Sequence, residues 1–123
     1  MPDPNFFILF VDAPETSARF YADLLGKPPL EASPTFAMFA LDSGAMLGLW
    51  SRHTTEPAVV AAAGGSELAF ALDNDAEVER TYRAWQQREL PMLQAPTRMD
   101  FGYTFVALDP DGHRLRVFSP AKD

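Results

Sequence analysis

The chain has no cysteine among its 123 residues, which removes disulfide frameworks, thiolate nucleophiles and thiolate metal sites together. It has only 2 histidines, His53 and His113, and they form no ligand spacing such as His-x-x-x-His. Basic residues are scarce as well: 10 Lys and Arg stand against 17 Asp and Glu, a net charge of −7. Such a balance repels nucleic acid and anionic membrane at long range and argues against both as main partners. No apolar run approaches the roughly 18 residues that a membrane helix needs. The opening Met-Pro-Asp-Pro lacks the basic and long apolar regions of a signal peptide, so a cytoplasmic location is expected. What the chain has in quantity is hydrophobic surface, 47% of its residues, enough to bury a core in one domain or in two small halves.

The clearest local signal lies near the end. Asp109-Pro110-Asp111-Gly112 supplies a proline-fixed φ, an Asp that bonds its own backbone and a Gly for positive φ, so it predicts a tight turn between two strands. The strand after it alternates Arg114, Leu115, Arg116, Val117, which puts guanidinium groups on one face and aliphatics on the other. At the other end, residues 6–11 are an unbroken apolar run and predict a strand covered on both faces. Asp12 is the expected N-cap of a helix over 13–25, with Glu15 at capping-box spacing and Gly26 as its stop. Short strands are expected near 30–31, over 36–41 and over 45–50, followed by a linker over 51–65. The order then recurs: a strand over 67–72, Asp73 as N-cap, a helix to about Arg88, and strands over 90–93, 103–108 and 113–118.

The two halves match at one offset: Asp12 with Asp73, Tyr21 with Tyr82 and Leu24 with Trp85 are each 61 residues apart. A duplicated βαβββ unit with Val11-Asp12 entering Ser17-Ala18-Arg19-Phe20-Tyr21, and with Leu108-Asp109-Pro110-Asp111-Gly112-His113 near its end, resembles the glyoxalase, bleomycin-resistance and extradiol-dioxygenase superfamily, also called vicinal oxygen chelate. The stretches Gly48-Leu49-Trp50-Ser51 and Phe101-Gly102-Tyr103-Thr104-Phe105 are most like its small antibiotic-binding resistance members, those for phenazine antibiotics included. The resemblance implies an α+β fold over 1–123, with tandem βαβββ modules 1–62 and 63–123 forming a curved, partly open mixed sheet around a central cavity. It also implies a homodimer in which each cavity is closed by halves of two chains, and the linker is long enough for an exchanged arrangement.

Enzymes of this superfamily hold a divalent metal with one residue from each of four strands. The equivalent positions here are Asn5, Gly48, Glu67 and Arg116. Glycine offers no ligand and Arg is a permanent cation without a lone pair to give, so only Glu67 suits a metal and neither metal nor other cofactor is expected. Under the same geometry Glu67 and Arg116 converge into an ion pair; alternatively, Arg116 reaches solvent and Glu67 pairs elsewhere.

Alternation from these positions assigns Asn5 and Phe7, then Met46, Gly48 and Trp50, then Glu67, Ala69, Arg114 and Arg116 to the cavity. Phe36, Met38 and Phe39, with Tyr103 and Phe105, are expected to complete it, with His53 near its mouth, whereas Phe6, Ile8 and Phe10 are assigned to the core. A planar wall at Trp50 beside a small residue suits an aromatic ligand. The expected function is non-enzymatic sequestration of a planar aromatic antibiotic or related toxin, with no catalytic residue. The alternative is a glyoxalase-like lyase or dioxygenase whose metal site is atypical or absent, or which uses Glu67 as a general base.

Overall fold

Ten elements follow one another in a computed structural model that describes residues 1–122: β1 (Phe6–Val11), α1 (Pro14–Leu25), β2 (Glu31–Ala32), β3 (Phe36–Ala40), β4 (Met46–Ser51), β5 (Glu67–Ala71), α2 (Asp75–Gln87), β6 (Met92–Met99), β7 (Gly102–Leu108) and β8 (Arg114–Pro120). They divide into two compact units, one ending at Ala61 and the other starting at Ala62, each with the order βαβββ. Each unit owns a four-stranded mixed sheet, β1-β4-β3-β2 in the first and β5-β8-β7-β6 in the second. In both, the strand before the helix pairs in parallel with the last strand and the other neighbours are antiparallel. Phe6 and Glu67, Pro14 and Asp75, and Glu31 and Met92 open equivalent elements 61 residues apart, while Met46 and Arg114 are 68 apart. The drift comes from β6, which runs eight residues where β2 runs two. The sequence pattern shows only the first few of those eight, because Gln94, Pro96 and Arg98 interrupt any apolar rhythm.

Both helix starts differ from expectation by one residue. The N-cap of α1 is Ala13, with no side-chain cap, and Pro14 sits at the first turn where its missing N–H costs nothing. Asp12 lies one residue before the cap position, and its carboxylate is 2.7 Å from His53 Nε2. In α2 the cap is Asn74 rather than Asp73, its Oδ1 accepting from the Glu77 N–H at 2.9 Å. Gly26 ends α1 at φ 69°, a left-handed position that glycine takes without steric cost.

Each helix covers one face of its own sheet. In the first unit α1 packs on β3 and β4, burying Tyr21 against the side that holds Leu47, Leu49, Ala37 and Phe39. In the second, Trp85 of α2 meets Phe70 and Phe105 edge to face at 5.8 and 5.4 Å, over Leu115 and Val117. Each such side chain contributes roughly 1.5–3 kcal/mol by leaving water. The β7–β8 turn forms as its residues predict: Asp109 Oδ1 accepts from the Asp111 and His113 N–H groups, and Gly112 takes φ 89°.

Candidate functional site

With one face of each sheet under a helix, the chemistry lies on the other. In the first unit, parallel register sets Phe6 beside Met46, Ile8 beside Gly48 and Phe10 beside Trp50, and antiparallel register adds Phe36 beside Trp50 and Met38 beside Gly48. Neighbours in register share a face, so Phe6, Ile8 and Phe10 stand on the open side together with Met46, Gly48 and Trp50. Phe6, Ile8, Phe36 and Trp50 line an apolar groove of about 380 Å³. Phe6 and Ile8 are each 43% exposed, and so is Phe7 on the opposite face, so the first half of β1 is an apolar surface thinly covered on both sides and able to gain by being covered. Trp50 is half-buried, tilted against Phe10 with ring centroids 6.4 Å apart.

This corrects the expected lining. Phe7 pairs with Leu47 and Phe39 also pairs with Leu47, so both belong to the side facing α1, where Phe39 is fully buried; Phe105 of the second unit is likewise buried, against Tyr82 and Trp85 of α2, and so lines no pocket on the open face. Asn5 precedes β1 and contributes its carbonyl to the Met46 N–H. Phe6, Ile8 and Phe10, expected in the core, take the open face instead. The cause is physical: every residue of Phe6–Val11 is apolar, so alternation carries no information about which parity faces the helix. Gly48 does not leave open room either. A Cβ there would lie 2.9 Å from Phe6 Cε1 and 3.0 Å from Phe36 Cζ, so its missing side chain lets those two rings close over the strand. His53 follows β4 in an exposed turn and is held by Asp12.

The second unit puts ions on its open face. Glu67 pairs in register with Arg114, and Ala69 with Arg116. Arg116 grips Glu67 with two bonds, Nε to Oε1 at 2.7 Å and Nη2 to Oε2 at 3.0 Å, while its Nη1 donates to Thr104 Oγ1 at 3.1 Å and to Gln94 Oε1 at 3.4 Å. Arg114 Nη2 reaches Glu67 Oε2 at 2.7 Å. The hydrogen bond from Arg116 is the main reason that the Glu67 carboxyl is held below its ordinary range; partial burial opposes it, and the charges of both arginines add to it. Arg116 also lies over the Phe101 ring, 5.6 Å from its centre. Thr104 and Gln94 were not among the expected site residues. Thr104 had a weak signal, the one aliphatic hydroxyl in an otherwise apolar and aromatic strand, whereas Gln94 falls in the part of β6 that shows no pattern.

Tyr103 is the third correction. It pairs with Ser119 rather than Arg116, which turns it to the α2 side, where its hydroxyl donates to Glu79 and raises its own pKa. There Arg98 stacks on its ring and bonds Asp75, a helix-packing network separate from the open face.

The donor set does not suit a metal. Of the two family ligand positions in the first unit, Gly48 has no donor atom; of the two in the second, Arg116 is a cation and Glu67 is engaged by two guanidiniums. Among the described residues no group of three or more His, Asp or Glu side chains could hold a metal ion.

Duplicated βαβββ units of this topology, with residues 4–117 matching the profile of the Glyoxalase/Bleomycin resistance protein/Dioxygenase superfamily, make the chain a member of that family. It is similar to the phenazine antibiotic resistance protein EhpR of Enterobacter agglomerans, 28% identical over 117 residues that cover 93% of this chain and 89% of the relative. Protein ATC0852 of Agrobacterium tumefaciens, known from a solution NMR structure, is 53% identical with a TM-score of 0.91, covering 99% of this chain and 100% of that one. A glyoxalase/bleomycin resistance protein/dioxygenase from Nocardioides shares the fold at 24% identity and a TM-score of 0.82, over 99% of this chain and 85% of its own.

Proposed function

We propose that the protein binds a planar aromatic small molecule, of the kind exemplified by phenazine antibiotics, and protects by holding it rather than by transforming it. The observation that carries this reading is the open groove of Phe6, Ile8, Phe36 and Trp50, three of its four side chains aromatic and none of them covered by the unit's own helix. An offset stack on such rings is worth roughly 0.5–1.5 kcal/mol beyond the area buried. The similarity to EhpR gives the class of guest, and that protein's name concerns resistance to a phenazine. Sequestration asks for no nucleophile, acid–base pair or metal, which agrees with a donor set unsuited to one. Glu67 is a poor general base, since a carboxylate held low by guanidinium bonds has little affinity for a proton. A homodimer belongs to the same proposal, because a groove this exposed is better covered when a second copy helps to enclose the guest.

Fluorescence titration with phenazine tests it. The protein has two tryptophans, and Trp85 is shielded between Phe70 and Phe105, so saturable quenching reports chiefly on Trp50. The expected result is saturable quenching in the native protein and, by calorimetric titration of both proteins because the variant lacks the reporter, a Kd raised about tenfold in Trp50→Ala, with the phenazine recovered unchanged by mass. Turnover of the compound, or titration curves identical in the two proteins, would overturn the reading.

A further inference from the structure

The open face of the first unit is apolar in every row but one. Register lines up Phe6, Met46 and Ala40 across the strands, and likewise Phe10, Trp50 and Phe36, with no charged side chain in either row. The row between them runs through Ile8, Gly48 and Met38 and ends on β2 at Glu31. The next residue, Ala32, pairs with Ala37 and lines a shallow groove between α1 and β2, so alternation turns Glu31 the other way, to the side of Phe6, Ile8, Phe36 and Trp50. Glu31 is exposed, and among the described residues no ion pair or hydrogen bond engages its carboxylate, whereas Asp12 and Asp42 are taken by His53 and Lys27. The unit's cations are engaged elsewhere: Arg19 donates to Thr16 on α1, Lys27 holds Asp42, and Arg52 donates to the Ala61 carbonyl.

We propose that the guest of this groove is a planar aromatic cation and that Glu31 is the acid facing its positive charge. This deepens the function proposed above and rests on it. Aromatic rings carry negative faces, so Phe6, Phe36 and Trp50 attract a delocalised cation and repel an anion. An anion would also lose its water against walls that offer no donor, in a unit whose three Lys and Arg stand against seven Asp and Glu. A neutral ring system gains the stacking alone. Distance permits the pairing: β2 lies two strands from β4, about 10 Å at the ordinary strand spacing, so a three-ring guest laid across the strands from Gly48 brings its far edge within reach of the Glu31 side chain. Because Glu31 is exposed, its share of the preference is smaller than that of the rings.

Calorimetric titration with phenazine and with 5-methylphenazinium, a neutral and a cationic ring system of nearly the same shape, tests this in the native protein and in Glu31→Gln. The cation is expected to bind the native protein about tenfold tighter than phenazine at low salt. In Glu31→Gln the Kd of the cation should rise about threefold while that of phenazine stays the same, and added salt should shrink the difference between the two proteins. Thermal unfolding first checks that the variant melts with the native protein, as expected for a substitution at an exposed edge. Equal or weaker binding of the cation in the native protein overturns the proposal and leaves the aromatic groove standing. A preference for the cation that is undiminished in Glu31→Gln overturns it as well. If neither compound binds, the groove reading itself falls and this inference falls with it.

Discussion

On the open face of the first unit, β1 and β4 present Phe6 beside Met46 and Ile8 beside Gly48; at the same places in the second, β5 and β8 present Glu67 beside Arg114 and Ala69 beside Arg116. The backbone is repeated, even to a parallel pair of strands in register from the first residue of each, and the side chains are not. Where the first unit sets a large residue on the outer strand and a glycine on the inner one, the second reverses the sizes, alanine outside and arginine inside. The helix-covered faces, by comparison, are alike, both filled with aliphatics and aromatics. Duplication thus preserves what packing demands, an apolar side under the helix, and leaves the other side free to diverge into a hydrophobic groove in one unit and a charged cluster in the other.

Given that contrast, substitutions on the two open faces should cost different amounts for different reasons. The largest effect is expected from Glu67→Ala, which leaves two neighbouring guanidiniums without their counter-ion. A fully buried pair costs about 3–5 kcal/mol when broken in this way, and with Glu67 still 27% exposed the loss should be about 2–3 kcal/mol in urea unfolding. Replacing Glu67 and Arg116 together by methionine should recover most of it, because no unpaired charge is then left from that pair. Phe36→Ala in the apolar groove should cost less, about 1–2 kcal/mol, since the ring is only half-buried and little cavity is created. A loss above that of Glu67→Ala would mean that the groove is core and not a binding surface.

Acid should distinguish the faces next. Glu67 is held below its ordinary value in the folded protein, so the unfolded chain binds its proton more readily. The stability this contributes is complete above the unfolded value near 4.5 and is lost as pH falls through the lower folded value. Unfolding followed from neutral pH downward should therefore be less steep in Glu67→Gln below about pH 4.5, while Phe36→Ala keeps the native steepness. Some slope will persist in both, because Asp42 and Asp75 are also held low, chiefly by hydrogen bonds from Lys27 and Ser119. The smallest effect is expected for Gly48→Ala. The new methyl meets the far ends of two aromatic rings that have room to tilt toward solvent, so melting should change by less than about 1 kcal/mol. Phenazine affinity should nevertheless shift, because the groove walls move.

How much of this was legible beforehand follows from where the chain alternates. Arg114-Leu115-Arg116-Val117 announces its own faces, and Glu67 follows once β5 is aligned with β8, so the ionic cluster could be read before any coordinates. Phe6–Val11 announces nothing, because six apolar residues satisfy either parity. The same ambiguity placed Phe39 on the wrong side, since Phe36 to Ala40 is apolar throughout. Tyr103 was misplaced because an apolar strand with a polar tip suits a pocket and a helix contact equally well, and only Glu79 on α2 decides between them.

What the sequence determined by itself is the duplicated βαβββ order, the 61-residue offset, the Asp109–Gly112 turn and the charged face of β8, all of which rest on local chemistry: turn residues, helix stops and period-two polarity. What only the tertiary structure decided is which side of an all-apolar strand meets the helix. That choice is made by strand register and by the packing of Tyr21 on α1 against β3 and β4, contacts between residues far apart in the chain. It turns Phe6 and Ile8, rather than Phe7, toward the groove.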